Sequence, residues 1–244
     1  IVVVRVERMA PRSIAEKIAR FSGVSDDAVV ILPDIKSVYE VPFNVLNSGV
    51  VTVLNKFVGT RRAPDMSQWE ELRKLSSTTY DQTVTVGLVA KYVDNTDTYI
   101  SVTEALKAAA YHNRVNLQIK WLNAEKVTDE DFASVDGLVV PGGFGVRGLD
   151  GKIAAADYAL EHDKPYLGLC LGLQMAVIAA ARRGGLAGAT SAEIDPQSDE
   201  DVVYIMADQQ GKESTGGTMR LGNYPAKLVA GSKVAQIYGA TEVV

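Results

Sequence analysis

Apolar positions follow two rhythms in this chain. From Thr83 onward, short β-branched runs alternate with stretches whose apolar residues recur every three or four positions. "TVTVGLVAKY", "VNLQIKWL", "VDGLVV" and "PYLGL" read as strands. "YISVTEALKAAAYHN", with Val102, Ala105, Leu106 and Ala109 turned inward, reads as a helix, as do "GKIAAADYALEHD" and "LGLQMAVIAAARRGG". Strands alternating with helices at this spacing predict an α/β fold: a mostly parallel, doubly wound sheet with helices on both faces. Ligands of such sheets bind at the carboxyl ends of the strands. Ahead of Thr83 the rhythm is less regular. Ile1 to Arg5 predicts a buried strand, and "APRSIAEKIARFSG" a helix with Pro11 in its first turn, Ile14, Ile18 and Phe21 on one face, and Gly23 as its stop. Ala28 to Ile35 predicts a strand that breaks at Pro33, and "VPFNVLNSGVV" a short helix ended by Gly49. Ser67 is the expected N-cap of a helix over Trp69 to Leu75. "SSTTYDQ" (76–82) is small and polar and marks the expected boundary. The layout is then a first α/β portion over 1–60, a linker with a short helix over 61–82, and a larger domain over 83–244. Within the latter, Glu193 to Gly217 predicts a polar excursion with one strand, Val202 to Ala207.

Composition narrows the class without changing the fold. Of 244 residues 47% are hydrophobic, enough for a substantial core, and the formal net charge is −5. That balance argues against a general nucleic-acid binder, while leaving room for a local basic pocket. The single cysteine cannot close an internal disulfide or build a multi-cysteine zinc cage; it fits a reducing compartment, here the cytoplasm. No apolar run reaches the roughly 20 residues that span a bilayer, and no signal peptide is visible. The chain begins inside a strand-like run without Met and ends at "GATEVV". Both ends read as cut, so a piece of a longer protein is expected.

The cysteine is where chemistry enters. Cys170 stands in "GLCLG", between a short apolar strand and a helix, with Gly168 and Gly172 two residues to either side. G-x-C-x-G in that context is the form of a nucleophile elbow, because the chain turns sharply there and a flanking β-carbon would collide. The helix starting at Leu171 points its free N–H groups at the sulfur, which favours the thiolate. The bland alternative is a buried cysteine serving as a small hydrophobe. "VVPGGFGVRG" ends another strand in glycines and exposes backbone amides. The N–H groups of Gly143 and Leu171 are the expected oxyanion donors. Alone, "PGGFG" also reads as a tight turn, or as a phosphate loop without its Gly-Lys-Ser/Thr ending. A general base is missing: His162 precedes the Cys170 strand and lies at the opposite edge of the sheet, roughly 20 Å from the sulfur at about 3.3 Å per strand residue; His112 also precedes its strand, at that same edge, and both read as surface residues.

"PGGFGVRG", "GLCLGLQ" and the downstream "GGTMRLG" together resemble the class I glutamine amidotransferase domain of the CTP synthase family. "VRVERMAPRSIAEKIARFSGV" and "VVILPDIKSVYEVP" resemble the end of that family's synthetase domain, so the resemblance covers practically the whole chain. It implies that residues 1–60 are a synthetase remnant and 83–244 a truncated glutaminase domain. It implies a ligase that makes CTP from UTP, ATP and glutamine, with ammonia released through a cysteine thioester and passed on internally. By position it makes Cys170 the nucleophile; Gly142, Gly143, Phe144, Leu171, Gly172, Leu173 and Gln174 the glutamine and oxyanion site; and Glu193 the carboxylate for the substrate's α-amino group. Phe144 also lies near the glutamine entrance. Arg220 falls near the activating GTP, and Lys17, Asp34 and Ile35 near nucleotide. Glu193, Arg220 and Lys17 also read as solvated charges, and Gln174 as an exposed polar residue on the first turn. No metal ligands are expected here; Mg-ATP and GTP belong to the intact enzyme, a homotetramer, whereas this piece is expected to be monomeric. The family's His-Pro-Glu motif has no match in this sequence, so the piece alone is expected to be inactive or very slow. Rival readings are the glutaminase of another class I amidotransferase, or a non-enzymatic sensor built on the elbow cysteine.

Overall fold

A computed structural model describes residues 1–35, 37–60, 63–205 and 222–244. The chain divides into two compact units. One comprises 1–88, 92–122 and 130–138; the other 89–91, 123–129 and 139–244.

In the first unit β1 (Val2–Val6) pairs in parallel with β2 (Val29–Pro33). Paired with β2 alone among the described strands, β1 is not buried as its apolar run predicts: burial alternates along it and Val3 is 59% exposed. Helix α1 (Arg12–Ser22) starts one residue after Pro11 and ends at Gly23, which takes the left-handed conformation at φ 66°. Its expected apolar face is only partly used. Ala19 is buried and Ile18 half-buried, but Ile14 is exposed and Phe21 is 81% exposed. Helix α2 (Val41–Asn47) stops before Gly49, as expected, and α3 (Val50–Val58) follows at once. The β-branched run "VVTVLNKFV" has weak intrinsic helix preference, so its periodicity gave little sign of α3. Helix α4 (Ser67–Ser77) begins at Ser67 instead of being capped by it: the N-cap position is Met66, without a side-chain cap, and the Asp65 carboxylate accepts the N–H of Ser67 at 3.0 Å. Those hydrogen bonds hold the Asp65 carboxyl below its ordinary range. The helix also runs two residues past Leu75, into the polar stretch.

Strands β3 (Thr83–Ala90), β4 (Asn116–Asn123), β5 (Gly137–Val140) and β6 (Tyr166–Gly168) form the main sheet in the order β4-β3-β5-β6. It is the mostly parallel sheet with helices on both faces that the alternation predicts. Helix α5 (Ile100–Asn113) turns Val102, Thr103, Leu106 and Ala110 inward, while Ala105 and Ala109 are exposed. The buried stripe is therefore rotated from the expected one. Alanine is small enough to fit either side, so the pattern did not fix the phase. β4 does not alternate cleanly, with only Leu122 fully buried. After the short α6 (Asp129–Ala133), β5 is buried along most of its length.

The second unit packs α7 (Leu149–Glu161) against α8 (Leu171–Arg183) through Leu149, Ile153, Ala156, Leu171, Met175, Ile178 and Ala179. Ile194, Val202 and Val203 lean on the same cluster. The polar excursion carries a parallel pair, β7 (Thr190–Ser191) with β8 (Asp201–Val203). β8 is shorter than the expected Val202–Ala207 strand, whose last residues lie outside the described ones. β9 (Ala226–Lys227), α9 (Lys233–Tyr238) and β10 (Glu242–Val243) complete the unit.

Candidate active site

The sheet reverses direction of winding at β3: β4 lies on one side of it and β5 on the other. The carboxyl ends of strands at such a reversal open a crevice that helix-strand connections leave uncovered. Three segments reach that end within the second unit: Lys91 after β3, the glycine turn after β5, and Cys170 after β6.

Cys170 occupies the N-cap of α8 with φ 53° and ψ −109°. For a residue with a β-carbon this is a sparsely populated backbone, costing about 1–3 kcal/mol, and the surroundings enforce it. The N–H of Leu169 donates to the Val140 carbonyl at 2.9 Å, and the Tyr166 hydroxyl donates to the Gly172 carbonyl at 2.7 Å. Burial pushes the Tyr166 phenol well above its ordinary range, so it stays a donor. Both flanking glycines are sterically required. A β-carbon on Gly172 would fall onto the Val140 carbonyl, and one on Gly168 onto the Gly172–Leu173 backbone. The elbow thus lifts the thiol out of the sheet, and Cys170 is exposed, not sealed in the core. The sharp turn expected at Cys170 is present, and the residue is not a buried small hydrophobe.

The turn "PGGF" approaches the same sulfur. The β-carbon position of Gly142 lies 3.4 Å from Cβ and 3.9 Å from Sγ of Cys170, and that of Gly143 lies 3.6 Å from a Leu171 methyl. Among the described residues, the N–H groups of Gly143 and Leu171 have no hydrogen-bond partner. The amides of Gly172, Leu173 and Gln174 are occupied by the Leu169 and Cys170 carbonyls. Phe144 is 47% exposed on the turn, Leu173 is exposed, and Gln174 is half-buried on the first turn of α8. Glu193 is exposed in the turn after β7, beside Ile194 of the α7–α8 cluster. No described contact ties it to Cys170.

Two residues behind the turn escaped the sequence reading. Lys152 of α7 is fully buried and its Nζ donates to the Pro141 carbonyl at 3.3 Å. Lys91, also buried, donates to the Phe144 carbonyl. Burial first, and the positive Lys91 next, pull the Lys152 ammonium down to about 8, partly opposed by Cys170. The signal was available: Lys152, Ala156 and Ala159 share one helical face.

Both histidines are exposed, as expected. His162 stacks on Tyr158 at 4.0 Å and its Nδ1 meets the Tyr158 carbonyl at 3.0 Å. In the first unit Lys17 is exposed on α1. Asp34 pairs with Arg5 at 2.9 Å and, with Ile35, lines a cavity of about 820 Å³ together with Ser37, Glu40, Ser76 and Tyr111. Arg220 lies outside the described residues. Among the described residues no group of three His, Cys, Asp or Glu is placed to hold a metal ion, and no helix is long and apolar enough to cross a membrane.

Residues 95–241 match the model of the glutamine amidotransferase class-I family, and residues 1–59 match that of the CTP synthase N-terminus. The chain is 45% identical over 252 aligned positions to the CTP synthase of Corynebacterium efficiens, covering 99% of this chain and 45% of that one. It is 44% identical to the CTP synthase of Lactiplantibacillus plantarum, covering 99% and 46%. It therefore spans about half the length of these curated relatives. Among solved structures it resembles the glutaminase domain of Trypanosoma brucei CTPS with bound acivicin, at a TM-score of 0.57 and 32% identity, over 66% of this chain and 64% of that one. With the amidotransferase match running through more than half of its length, and with an elbow cysteine facing a glycine turn, this chain belongs to the class-I glutamine amidotransferase family.

Proposed function

We propose that this chain is the glutaminase portion, joined to the end of the synthetase portion, of a glutamine-hydrolysing CTP synthase. The observation that carries the reading is local: a strained, exposed Cys170 with the free amides of Gly143 and Leu171 beside it. The thiolate adds to the carboxamide carbon of glutamine, and the carbonyl oxygen becomes an oxyanion held by those two N–H groups. The C–N bond then breaks, ammonia leaves with an added proton, and a Cys170 thioester remains; water cleaves it to glutamate and restores the thiol. Phe144, Leu173 and Gln174 stand where they would border the substrate, and Glu193 is assigned to its α-amino group. Among the described residues no histidine meets the sulfur, and a positioned general base is worth about 10²–10⁴-fold. This chain alone is therefore expected to hydrolyse glutamine slowly.

The wider assignment follows the half-length relatives and rests on likeness. ATP-dependent amination of UTP, activation by GTP near Arg220, and tetramer formation are assigned to the longer enzyme, in the cytoplasm. Residues 1–60 are read as its synthetase end, 61–82 as a linker. The cavity at Asp34 and Ile35 is lined by carboxylates and hydroxyls, with no cationic side chain among its described lining residues. It suits a base or ribose better than a phosphate chain; Lys17 does not line it. A test is labelling with 6-diazo-5-oxo-norleucine followed by peptide mass spectrometry. Modification at Cys170, suppressed by excess glutamine, is expected. Labelling that glutamine does not slow would sink the glutaminase reading.

A further inference from the structure

Gly142 and Gly143, at the middle of the turn, have no side chains with which to fix its conformation, and glycine loses more backbone freedom on folding than any other residue. Something outside the turn has to hold it. Lys152 stands directly behind it, at 0% exposure, on the α7 face it shares with Ala155, Ala156 and Ala159. A buried ammonium is costly, and packing α7 on its neighbours does not call for one. Its Nζ donates to the Pro141 carbonyl and lies 3.7 Å from where a β-carbon on Gly143 would be. Lys91 reaches in from the end of β3 to the Phe144 carbonyl. The first and last carbonyls of the Pro141–Phe144 turn are thus both held by ammonium groups. In a trans peptide the C=O and N–H point in opposite directions, so anchoring the Pro141 carbonyl fixes the plane from which the Gly142–Gly143 backbone departs.

We propose that Lys152, assisted by Lys91, is a positioning residue that holds the glycine turn with the Gly143 amide toward the reacting carbonyl oxygen and sets a positive charge behind the developing oxyanion. This rests on the reading of Cys170 and the turn as an acyl-transfer site. The ionisable groups that bear on Lys152 are Lys91, which disfavours its charge, and Cys170, which favours it. At neutral pH the ammonium therefore remains largely protonated.

The test compares two small probes on the whole chain. p-Nitrophenyl acetate is attacked by the thiolate at its carbonyl carbon, passes through a tetrahedral oxyanion and expels p-nitrophenolate as the Cys170 thioester forms; iodoacetamide loses iodide in a direct displacement and forms no oxyanion. Lys152→Met is expected to slow acetylation of Cys170 by p-nitrophenyl acetate, read as p-nitrophenolate release, about tenfold, below the 10²–10³ lost with a full oxyanion donor, while iodoacetamide labelling changes by less than about threefold. Lys152→Gln, which still has a donor for Pro141, is expected to recover part of the loss. Equal slowing of both probes, or no slowing in a folded variant, overturns the proposal. Should Lys152→Met fail to fold by circular dichroism, Lys91→Met at the other end of the turn is read by the same ratio. Neither probe needs glutamine recognition, so failure of the glutamine-analogue experiment and failure of this one are separate results.

Discussion

At the scale of single residues, the elbow is decided by the absence of two β-carbons. Gly172→Ala drives a methyl into the Val140 carbonyl, a backbone atom that cannot swing aside as a side chain can. We expect a loss of about 1–3 kcal/mol by urea unfolding, together with loss of Cys170 labelling; an alanine variant with the stability and labelling of the parent would contradict the packing described. Lys152 makes a second prediction at this scale. Its folded ammonium titrates at about 8, against 10.5 in the unfolded chain. Between those values the unfolded chain binds more protons than the folded one, so this residue's contribution to stability rises with pH across that window. At about 1.4 kcal/mol per unit, the stability difference between the parent and Lys152→Met should shift by roughly 3 kcal/mol in the parent's favour from pH 7.5 to 10.5. Urea unfolding of both proteins at the two pH values checks it, and a constant difference would mean that the ammonium is not buried.

Among elements, the joint ahead of the main sheet matters most. The polar stretch before β3 is tied to β4 through Asn116: its side chain accepts the N–H of Tyr80 at 3.0 Å and donates to its carbonyl, and its backbone N–H donates to the Gln82 carbonyl at 2.8 Å. The Tyr80 hydroxyl in turn donates to the Leu75 carbonyl of α4 at 3.1 Å. Asn116→Ala leaves a half-buried peptide without partners and is expected to cost about 1–3 kcal/mol, with Cys170 labelling by iodoacetamide unchanged, since Asn116 and Cys170 belong to different compact units. Slower labelling in that variant would show that the strain at the elbow depends on the first unit. Local rules located most elements well. Gly23, Gly49 and the alternation after Thr83 fall where periodicity and turn chemistry place them, while Pro11 stands at the N-cap of α1 and not in its first turn. The rotated face of α5 and the missed α3 are cases where alanine and β-branched residues leave the local pattern ambiguous.

For the whole molecule, both units leave large apolar side chains exposed, among them Val229 and Ile237 in the second. In the first, Phe21 is 81% exposed on α1, which also exposes Ile14, and Phe57 is 92% exposed on α3, where Leu54 and Val58 are exposed as well. The relatives it matches are about twice as long. We expect this chain to run as a monomer of about 26 kDa in multi-angle light scattering; a mass near twice that would assign those exposed faces to self-association.

The sequence by itself determined what depends on neighbours along the chain: the strand–helix alternation, the glycine-flanked cysteine and the glycine turn. Those features follow from backbone sterics and from periods of two and 3.6 residues, which act over a few positions. Tertiary structure alone decided which faces meet. It brought Gly143 and Leu171 to one sulfur, buried Lys152 and Lys91 behind the turn, and left Ile14 and Phe21 in water. Burial depends on what packs against a face from distant parts of the chain, and a local pattern of apolar and polar positions does not contain that partner.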